Sequence, residues 1–515
     1  MKRINIIGAL VVLLTFGLMG CDKDTNSNDL AEAEVIKVEG LQSSYSVITD
    51  VDVLDIKLDV TSNLPDAQFE YVWAIYPTSA EGALYRLDTI ARTKDLNYAV
   101  KLAAQEYQLV SIVKNQKTGL AKYTDVPLVV NTEYTRGWYV LKDDGINSDL
   151  DQFFTEGSIV PSGKKNENVF SSVNGRPIEG KGLRLTYFSD YRSTVVTETP
   201  ANTKTLFAGT EKNISAIHIN TLKEFRDKNT VFWGANAVNK DMVTFMASST
   251  WYMMNNNHIH GISGPNSGFF GSSSMRDDSN TPHELSPYFL TSGNTTPFLF
   301  DNTSSSFVFA LNAPAVLSSM TDKADTKLSA KNNNQRMLYM SYQDRLYDGN
   351  LYKWFARGWA LFEDKTTLKK TLGYLEPRDA QMSITTYPVD VNAKLNNSSK
   401  HTLLIESEGF MYFVHNGRDV YSHALTSGNE VLQFSVPGNE EVTFIRHRKY
   451  SETNYGYDYV MIGTKVGPNY KVRMFQKQAG NLLSTPVFVL EGKGAVRDVM
   501  YISPTVSTST YPTGY

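Results

Sequence analysis

The sequence has little cysteine, little surplus charge and few long apolar runs. Its 515 residues include one cysteine, Cys21, which rules out an internal disulfide framework. The formal net charge is only −4, so no basic surplus exists to neutralise phosphates, and nucleic acid is not an expected partner. After the N-terminal segment, no apolar run approaches the ~20 residues that a membrane-spanning helix needs.

Recognisable catalytic motifs are also missing. The sequence contains no Gly-x-Ser-x-Gly elbow, no His-Glu-x-x-His pair, no phosphate-binding glycine loop and no Ser-x-Asp-x-Gly-x-x-Trp box. We therefore predict no catalytic residue and lean against an enzyme. Two carboxylates brought together from distant parts of the chain remain an open alternative.

The N-terminus reads as an export signal. Lys2 and Arg3 precede an apolar run over residues 6–16, which is the order of a secretory signal peptide. The following Leu18-Met19-Gly20-Cys21 resembles the lipobox of bacterial lipoproteins, which implies a signal peptide over residues 1–20 and lipid attachment at Cys21. The alternative is an ordinary cleaved signal with an incidental cysteine.

Residues 21–34 are polar and acidic, without apolar periodicity, and we interpret them as a flexible tether. Their start, residues 21–24, resembles the acidic patch that follows the acylated cysteine in surface-exposed lipoproteins of Bacteroidetes. This resemblance implies a lipid-anchored protein on the outer face of the outer membrane. Simple solvation of a polar segment is the alternative.

Aromatic residues are abundant, with 29 Tyr, 25 Phe and 6 Trp, and together with scattered turn-forming residues they favour an all-β chain. Over residues 35–133, apolar side chains alternate with polar ones in short runs, as in Leu54 to Val60 and Phe69 to Ile75. Strands at this spacing predict one small β-sandwich, in which Trp73 packs in the core.

Two motifs of this segment carry a family resemblance. Tyr71-Val-Trp73 and the run from Tyr107 to Gly119 resemble the PKD-type immunoglobulin-like fold. Together with residues 137–142 and 148–151, they are similar to the PKD-like lipoproteins of Bacteroidetes. The chain departs from the usual PKD strand at residues 105–106, where Gln-Glu stands in place of a glycine.

Residues 134–515 consist of short strand-like runs separated by turn residues, with no convincing long amphipathic helix. A region of this length is too large for one sandwich, whereas four-stranded blades of ~40–50 residues predict a β-propeller of about seven blades. No WD or Kelch signature marks the blades. Two stacked sandwiches are the alternative architecture.

Oxygen ligands for a metal are densest in residues 143–151. Several of them are of the kind that Ca²⁺ prefers: Asp143, Asp144, Asn147, Asp149 and Asp151. The ligand order of an EF-hand is missing, and Asp-Asp-Gly is also what a tight hairpin turn uses. Otherwise no cofactor is expected.

Two further polar clusters have both a functional and a plain interpretation. His258 and His260 share one face of a strand at a spacing that suits zinc, with His283 or Glu284 as a possible third ligand. Polarity at a blade edge is the interpretation we favour. The basic run over residues 446–450 could attract an acidic sugar or peptide, although we expect a solvated loop.

A sugar site needs flat aromatic faces and amide or carboxylate partners, and propellers carry such sites on blade loops. The candidate contacts of this type are Trp251, Tyr252, Asn255, Asn256, Trp354 and Tyr457. Each of these side chains could instead serve packing.

The family resemblance implies a surface lipoprotein of the kind found beside SusC/SusD-like uptake systems. Its expected partners are the membrane, through the N-terminal lipid, a glycan or peptide ligand, and SusC/SusD-like proteins. The predicted function is a ligand-binding or accessory module for nutrient uptake, with a glycan favoured as the ligand. The alternatives are a propeller enzyme that degrades polysaccharide with paired carboxylates and a structural scaffold for protein–protein interaction.

Overall fold

The structure is a computed structural model, and it describes residues 33–511 apart from 79–85, 156–162, 195–199, 235–237, 248–249, 263–266, 278, 292–295, 311–315, 406–407, 452–455 and 509. The predicted signal peptide and Cys21 lie outside these residues. Within the described ranges, no helix combines the length and apolarity that crossing a membrane requires.

The chain is almost entirely β-structure, with 59% of residues in strands and 3% in helices, which confirms the predicted fold class. It divides into two compact units, Met1–Val130 and Asn131–Tyr515. The boundary predicted from the sequence lay between residues 133 and 134.

The first unit consists of one larger sheet and two strand pairs around a common core. Its strands are β1 (Ile36–Glu39), β2 (Tyr45–Ile48), β3 (Val53–Ile56), β4 (Asp59–Ser62), β5 (Phe69–Pro77), β6 (Asp88–Ala91), β7 (Leu96–Ala99), β8 (Glu106–Asn115) and β9 (Ala121–Asn131). The larger sheet has the order β2-β9-β8-β5-β6, and the pairs are β1-β4 and β3-β7.

Trp73 lies at the centre of this unit. Its side chain is buried among Leu54, Ile56 and Leu109, and its indole N–H donates to the carbonyl of Thr93 at 3.1 Å. A buried tryptophan normally finds such an acceptor, because an unpaired indole N–H would lose its hydration without compensation. Trp73 therefore packs in the core, as expected.

The second unit begins with the strands of the first blade and continues through three more blades. The elements of this half are η1 (Glu133–Thr135), β10 (Gly137–Asp143), β11 (Asn147–Phe153), β12 (Lys165–Asn166), α1 (Val169–Asn174), β13 (Ile178–Glu179), β14 (Gly182–Ser193), β15 (Ala201–Thr210), β16 (Ile214–His218), β17 (Glu224–Arg226), β18 (Val243–Ala247), β19 (Thr250–Asn255), β20 (His258–Ile262), β21 (Phe270–Ser273), β22 (Leu285–Leu290), β23 (Phe298–Asp301), β24 (Ser306–Phe309) and β25 (Ser318–Ser319).

The remaining blades and the closing strand follow in the same manner. These elements are β26 (Thr321–Asp322), β27 (Gln335–Asp348), β28 (Lys353–Asp364), β29 (Lys370–Arg378), β30 (Gln381–Pro388), η2 (Lys394–Asn397), β31 (Ser398–Leu403), β32 (Phe410–His415), β33 (Asp419–Ala424), β34 (Glu430–Ser435), β35 (Glu441–Ser451), β36 (Gly456–Val466), β37 (Asn469–Phe475), β38 (Lys477–Gln478), β39 (Asn481–Leu482), β40 (Phe488–Lys493) and β41 (Ala495–Ile502).

Apart from the separate pair β38-β39, the described strands of this unit form seven successive blade sheets, as the sequence predicted. Blade 1 has the order β12-β11-β10-β41, with β13 also paired to β11. Blades 2, 3 and 4 are β14–β17, β18–β21 and β22–β25. Blade 5 is β27–β30 with β26 added to its outer edge, blade 6 is β31–β34, and blade 7 has the order β35-β36-β37-β40.

The ring is closed by pairing the last strand with the first. β41 pairs antiparallel with β10 from Gly137↔Ile502 to Asp143↔Ala495. An ion pair between Arg497 and Asp143 lies at the end of this ladder. Closing the ring in this way pairs the last strand with the first and leaves the outer strands of the blades as sheet edges.

Apolar clusters fill the spaces between neighbouring blades. For example, the rings of Phe245 in blade 3 and Phe289 in blade 4 stack with centroids 4.0 Å apart, and Leu361 of blade 5 packs in one cluster with Phe413 of blade 6. The inner strands therefore bury side chains on both faces, whereas outer strands such as β34 are largely exposed.

Candidate functional site

The hairpin β27–β28, which has the longest strand ladder among the described hairpins of the propeller, projects beyond its own sheet. The ladder between β28 and β29 ends at Gly358↔Leu375, whereas β27 and β28 remain paired as far as Asp348↔Lys353. The outer part of this hairpin therefore has no third strand in its ladder. We call residues 344–357 the hairpin tip.

The turn of the hairpin tip is held by one carboxylate. Asp348 accepts hydrogen bonds from the backbone N–H groups of Asn350 at 2.9 Å and Leu351 at 3.3 Å, and it forms an ion pair with Arg378. Tyr352 follows with a φ of 52°, a left-handed conformation that is unfavourable for a bulky side chain. The turn thus keeps an aromatic residue in a strained position where its side chain is 81% exposed.

One face of the hairpin tip is aromatic. Tyr347 and Trp354 are directly opposite each other in the ladder, with ring centroids 5.1 Å apart. Their side chains are 45% and 48% exposed, respectively. The two ring planes are tilted by 51°, so the pair presents two inclined aromatic surfaces at the tip, either of which the C–H face of a sugar ring can contact.

Most charges of the hairpin tip are paired. Arg357 binds Asp344 through Nε and Nη2, both at 2.7 Å, and this ion pair raises the pKa of Arg357. Lys353 lies 3.2 Å from Asp379. Arg345, in contrast, places its guanidinium carbon 4.6 Å from the ring centroid of Trp354, and no ion pair to it is found among the described residues.

The other predicted sugar contacts do not join Trp354. Trp251 and Tyr252 lie on β19 of blade 3, and Tyr457 lies on β36 of blade 7. Trp251 packs against the rings of Phe188 and Tyr191, with centroids 6.0 and 5.6 Å away.

Two of these aromatic side chains are core residues. Tyr252 is 1% exposed and stacks on Phe245, so a ligand has no access to its ring. Tyr457 is also buried, where it contacts Trp138 at a centroid distance of 4.8 Å and shares a 2.6 Å hydrogen bond with the hydroxyl of Tyr511. Both were predicted as ligand contacts, and both serve packing because the inter-blade spaces require large side chains.

The two asparagines of blade 3 are turn residues. Asn255 is buried, accepts a hydrogen bond from the N–H of Lys240 at 2.8 Å and donates to the carbonyl of Val238 at 2.8 Å. Asn256 has a φ of 51° in the turn that joins β19 to β20. The Asn255 side chain therefore holds the chain before β18 and has no surface for a ligand.

The predicted calcium ligands have protein partners. Asp143 and Asp144 begin the β10–β11 turn, in which Asp144 accepts from the N–H groups of Ile146 and Asn147, both at 2.8 Å, and these bonds lower its pKa. Asp149 accepts from the N–H of Ser171 at 3.2 Å. Asp143 and Asp144 thus have the contacts that the hairpin-turn alternative expects, while Asp149 lies on β11.

Asp151 is committed to a buried network. It binds the Lys142 ammonium at 2.7 Å, accepts from the N–H of Asn168 at 2.8 Å and accepts from the Tyr470 hydroxyl at 2.7 Å. Burial, followed by the nearby Asp151 charge, raises the pKa of Tyr470 well above its usual value. Across the described residues, no group of three or more His, Cys, Asp or Glu side chains is placed to hold a metal.

The two histidines of β20 have different environments. His260 is buried against Phe232 and bonds through Nδ1 to the carbonyl of Gly271 at 2.9 Å, so the expected exposure at a blade edge is wrong for this residue. Burial lowers the pKa of His260 to about 4. His258 instead contacts His283 edge to face, with centroids 4.7 Å apart.

The basic run over residues 446–450 is not a solvated loop. It lies in β35, the innermost strand of blade 7, where Arg448 approaches both carboxylate oxygens of Asp498 at 3.3 Å and Arg446 lies 3.4 Å from it. Burial alone would raise the pKa of Asp498, but the guanidinium groups of Arg446, Arg448 and Arg184 hold it below its usual value. An ionised aspartate of this kind is unsuited to act as a general acid.

Comparisons with known proteins give one sequence match. Residues 21–182 match the PKD-like family. The N-terminal part of the chain is therefore PKD-like, and the match extends past the small sandwich to the first residue of β14. No curated protein sequence matches the chain.

Solved structures resemble the chain only distantly. A quinoprotein alcohol dehydrogenase-like protein from Bacteroides thetaiotaomicron is 10% identical, with a TM-score of 0.40 over 92% of this chain and 100% of the other. A DUF4784 family protein from Bacteroides caccae is 8% identical, with a TM-score of 0.32 over 77% and 95%. PorZ, a surface component of the type IX secretion system of Porphyromonas gingivalis, is 10% identical, with a TM-score of 0.34 over 86% and 63%. Likeness at this level assigns no function.

The sequence pointed to Trp354 as a candidate contact but not to its neighbours Arg345, Tyr347 and Tyr352. The feature that could have identified these neighbours is the length of the strand-like run over residues 335–364, which exceeds what a pair of blade strands needs. Where two paired strands extend beyond the rest of their sheet, both faces of the extension are open to solvent. Aromatic side chains on the extension are therefore exposed.

Proposed function

We propose that the chain is a lipid-anchored protein of the outer-membrane surface that binds a glycan and acts as an accessory module of a SusC/SusD-like uptake system. The observation that supports ligand binding is the aromatic pair Tyr347 and Trp354 on the hairpin tip. Soluble proteins seldom leave two large aromatic side chains together in solvent without a partner for them. A sugar ring offers its C–H face to such a surface and its hydroxyl groups to the flanking polar side chains.

Binding is tested with the full-length protein, purified in detergent and screened on immobilised neutral and acidic oligosaccharides. Every retained oligosaccharide is recovered and analysed for length and mass. We expect retention of unchanged glycan. Shortened products would favour the polysaccharide-degrading enzyme, whereas no retention on any glycan would contradict the glycan proposal.

Aromatic substitutions connect that result to the hairpin tip. Trp354→Ala is expected to weaken retention at least tenfold, because a stacked ring loses its platform. Trp233→Ala is the matched control, since Trp233 is also exposed, at 69%, but belongs to a loop beside blade 3. Equal losses in the two variants would show that the tip is not the binding surface.

The proposed anchor at Cys21 is tested in cells. Cys21→Ser prevents thioether formation, so we expect this variant to appear in the soluble fraction, whereas the parent protein stays with the outer membrane. Digestion of intact cells with an added protease distinguishes the outer face from the periplasmic face. Protection of the parent protein from that protease would contradict surface exposure, and co-purification with a SusC-like protein tests the proposed partner.

A further inference from the structure

We propose that the hairpin tip selects acidic saccharides, with Arg345 as the residue that binds the carboxylate or sulfate group. This inference rests on the proposed glycan function and specifies its ligand class. It follows from where the charges of the hairpin tip lie relative to its aromatic face.

The register of the hairpin places the three relevant side chains on one face. Tyr347 is opposite Trp354, and Arg345 is two residues before Tyr347 with no bulge between them. Residues two apart in a strand share a face. The 4.6 Å separation between the Arg345 guanidinium and the Trp354 ring agrees with this placement.

The charge balance of the tip favours an anion on this face. Asp344 pairs with Arg357, Asp348 pairs with Arg378, and Lys353 pairs with Asp379. Within each of these three pairs, the positive and negative charges cancel. The exposed Arg345 contacts the ring of Trp354, and no carboxylate among the described residues forms an ion pair with it.

Stacking prepares Arg345 to bind an anion. A guanidinium plane that lies over an indole ring loses rotamer freedom, while its N–H groups still point outward in the plane. Those N–H groups match the two oxygens of a carboxylate or sulfate in a bidentate geometry. A saccharide unit that stacks on Tyr347 and the open part of Trp354 can bring its acidic substituent to this position, whereas a neutral unit leaves the charge unused.

The experiment compares saccharides that differ only in charge. Binding of the full-length protein is measured by calorimetry with oligogalacturonate and with its fully methyl-esterified form, and with carrageenan oligosaccharides, whose only charged groups are sulfates, and their fully desulfated form. We expect at least a tenfold preference for the acidic member of a pair, and we expect this preference to shrink as salt is raised. The two pairs distinguish a carboxylate from a sulfate as the recognised group.

Two variants locate the preference. Arg345→Gln should remove the preference while it leaves the weaker binding of the neutral member in place. Lys353→Gln, on the opposite face of the same hairpin, should leave the preference unchanged. Trp354→Ala should weaken binding of both members.

The outcomes separate this inference from the proposed function. Equal binding of acidic and neutral members through Trp354 would overturn the selectivity and leave the glycan function standing. Binding of neither member of either pair, together with no retention in the broader screen, would overturn both. Arg345-dependent binding of an oligoglutamate peptide without any glycan binding would overturn the inference in favour of an acidic protein partner.

Discussion

The backbone N–H of Leu185 donates a 2.9 Å hydrogen bond to the carboxylate of Asp498, a residue 313 positions later in the chain. Leu185 lies in the innermost strand of blade 2, and Asp498 lies in the closing strand of blade 1. Since Asp498 also binds Arg448 of blade 7, one buried carboxylate joins three neighbouring blades where the ring closes. The contacts of Asp498 thus stabilise the ring closure in addition to the pairing of β10 with β41.

Asp498→Asn should therefore destabilise the propeller strongly. Removing one charge from a buried ion pair leaves the other charge uncompensated, which costs about 3–5 kcal/mol in the free energy of unfolding. Urea unfolding followed by tryptophan fluorescence measures the effect. Glu491→Gln is the control, because its pair with Lys471 is exposed and should contribute at most about 1 kcal/mol. Similar losses in both variants would contradict the role assigned to Asp498.

Two glycines of the same hairpin should respond differently to alanine. A Cβ at Gly358 would lie 2.2 Å from the carbonyl oxygen of Ser341 and 2.6 Å from a methyl group of Leu290. A Cβ at Gly349 would have no heavy atom within 4 Å. We expect Gly358→Ala to lower the melting temperature by several degrees, consistent with a cost of about 1–3 kcal/mol for overpacking. Gly349→Ala should change it by less than about 1 °C, and a reversed order would show that the inner strands are packed differently.

The Tyr470 hydroxyl should stabilise the Lys142–Asp151 pair of blade 1. Tyr470→Phe removes the 2.7 Å hydrogen bond to Asp151 but keeps the ring, so we expect a loss of about 1.5–3 kcal/mol for a bond to a charged group. The comparison is Tyr123→Phe, on an exposed side chain of the first unit. Unfolding in urea provides the measurement. An unchanged midpoint for the Tyr470 variant would mean that the bond contributes no net stability.

The fold was predictable from the sequence because its signals are local. The short apolar runs that begin at Leu403, Phe410 and Val420 follow one another across short turns, and they form or overlap β31, β32 and β33 of one blade in that order. The length of residues 134–515, at ~40–50 residues per four-stranded blade, predicted the blade count. The closure was not predictable in this way, since β10 and β41 pair across almost the whole propeller and no local pattern marks them as partners.

Long-range pairing also explains the errors among the predicted site residues. Arg446 and Arg448 read as a solvated basic loop because their partner Asp498 comes from another blade. Tyr252 and Tyr457 had the composition of a sugar site, but in a propeller both faces of an inner strand are covered by neighbouring blades. Trp354 lies beyond the end of its sheet and is not covered in this way.

The buried imidazole of His260 should make stability depend on pH in the mildly acidic range. Its pKa is about 4 in the folded protein because burial disfavours the charged form, against about 6.5 in an unfolded chain. The unfolded state therefore binds more protons than the folded state below pH 6.5. The contribution of neutral His260 to the free energy of unfolding is present above pH 6.5 and is lost as the pH falls towards 4, by up to about 1.4 kcal/mol per pH unit. His260→Asn keeps a donor for the Gly271 carbonyl but does not titrate, so the parent protein should lose more stability than this variant between pH 7 and pH 4.5. Urea midpoints at several pH values test this difference. Parallel curves for the two proteins would show that His260 charges without cost to the fold.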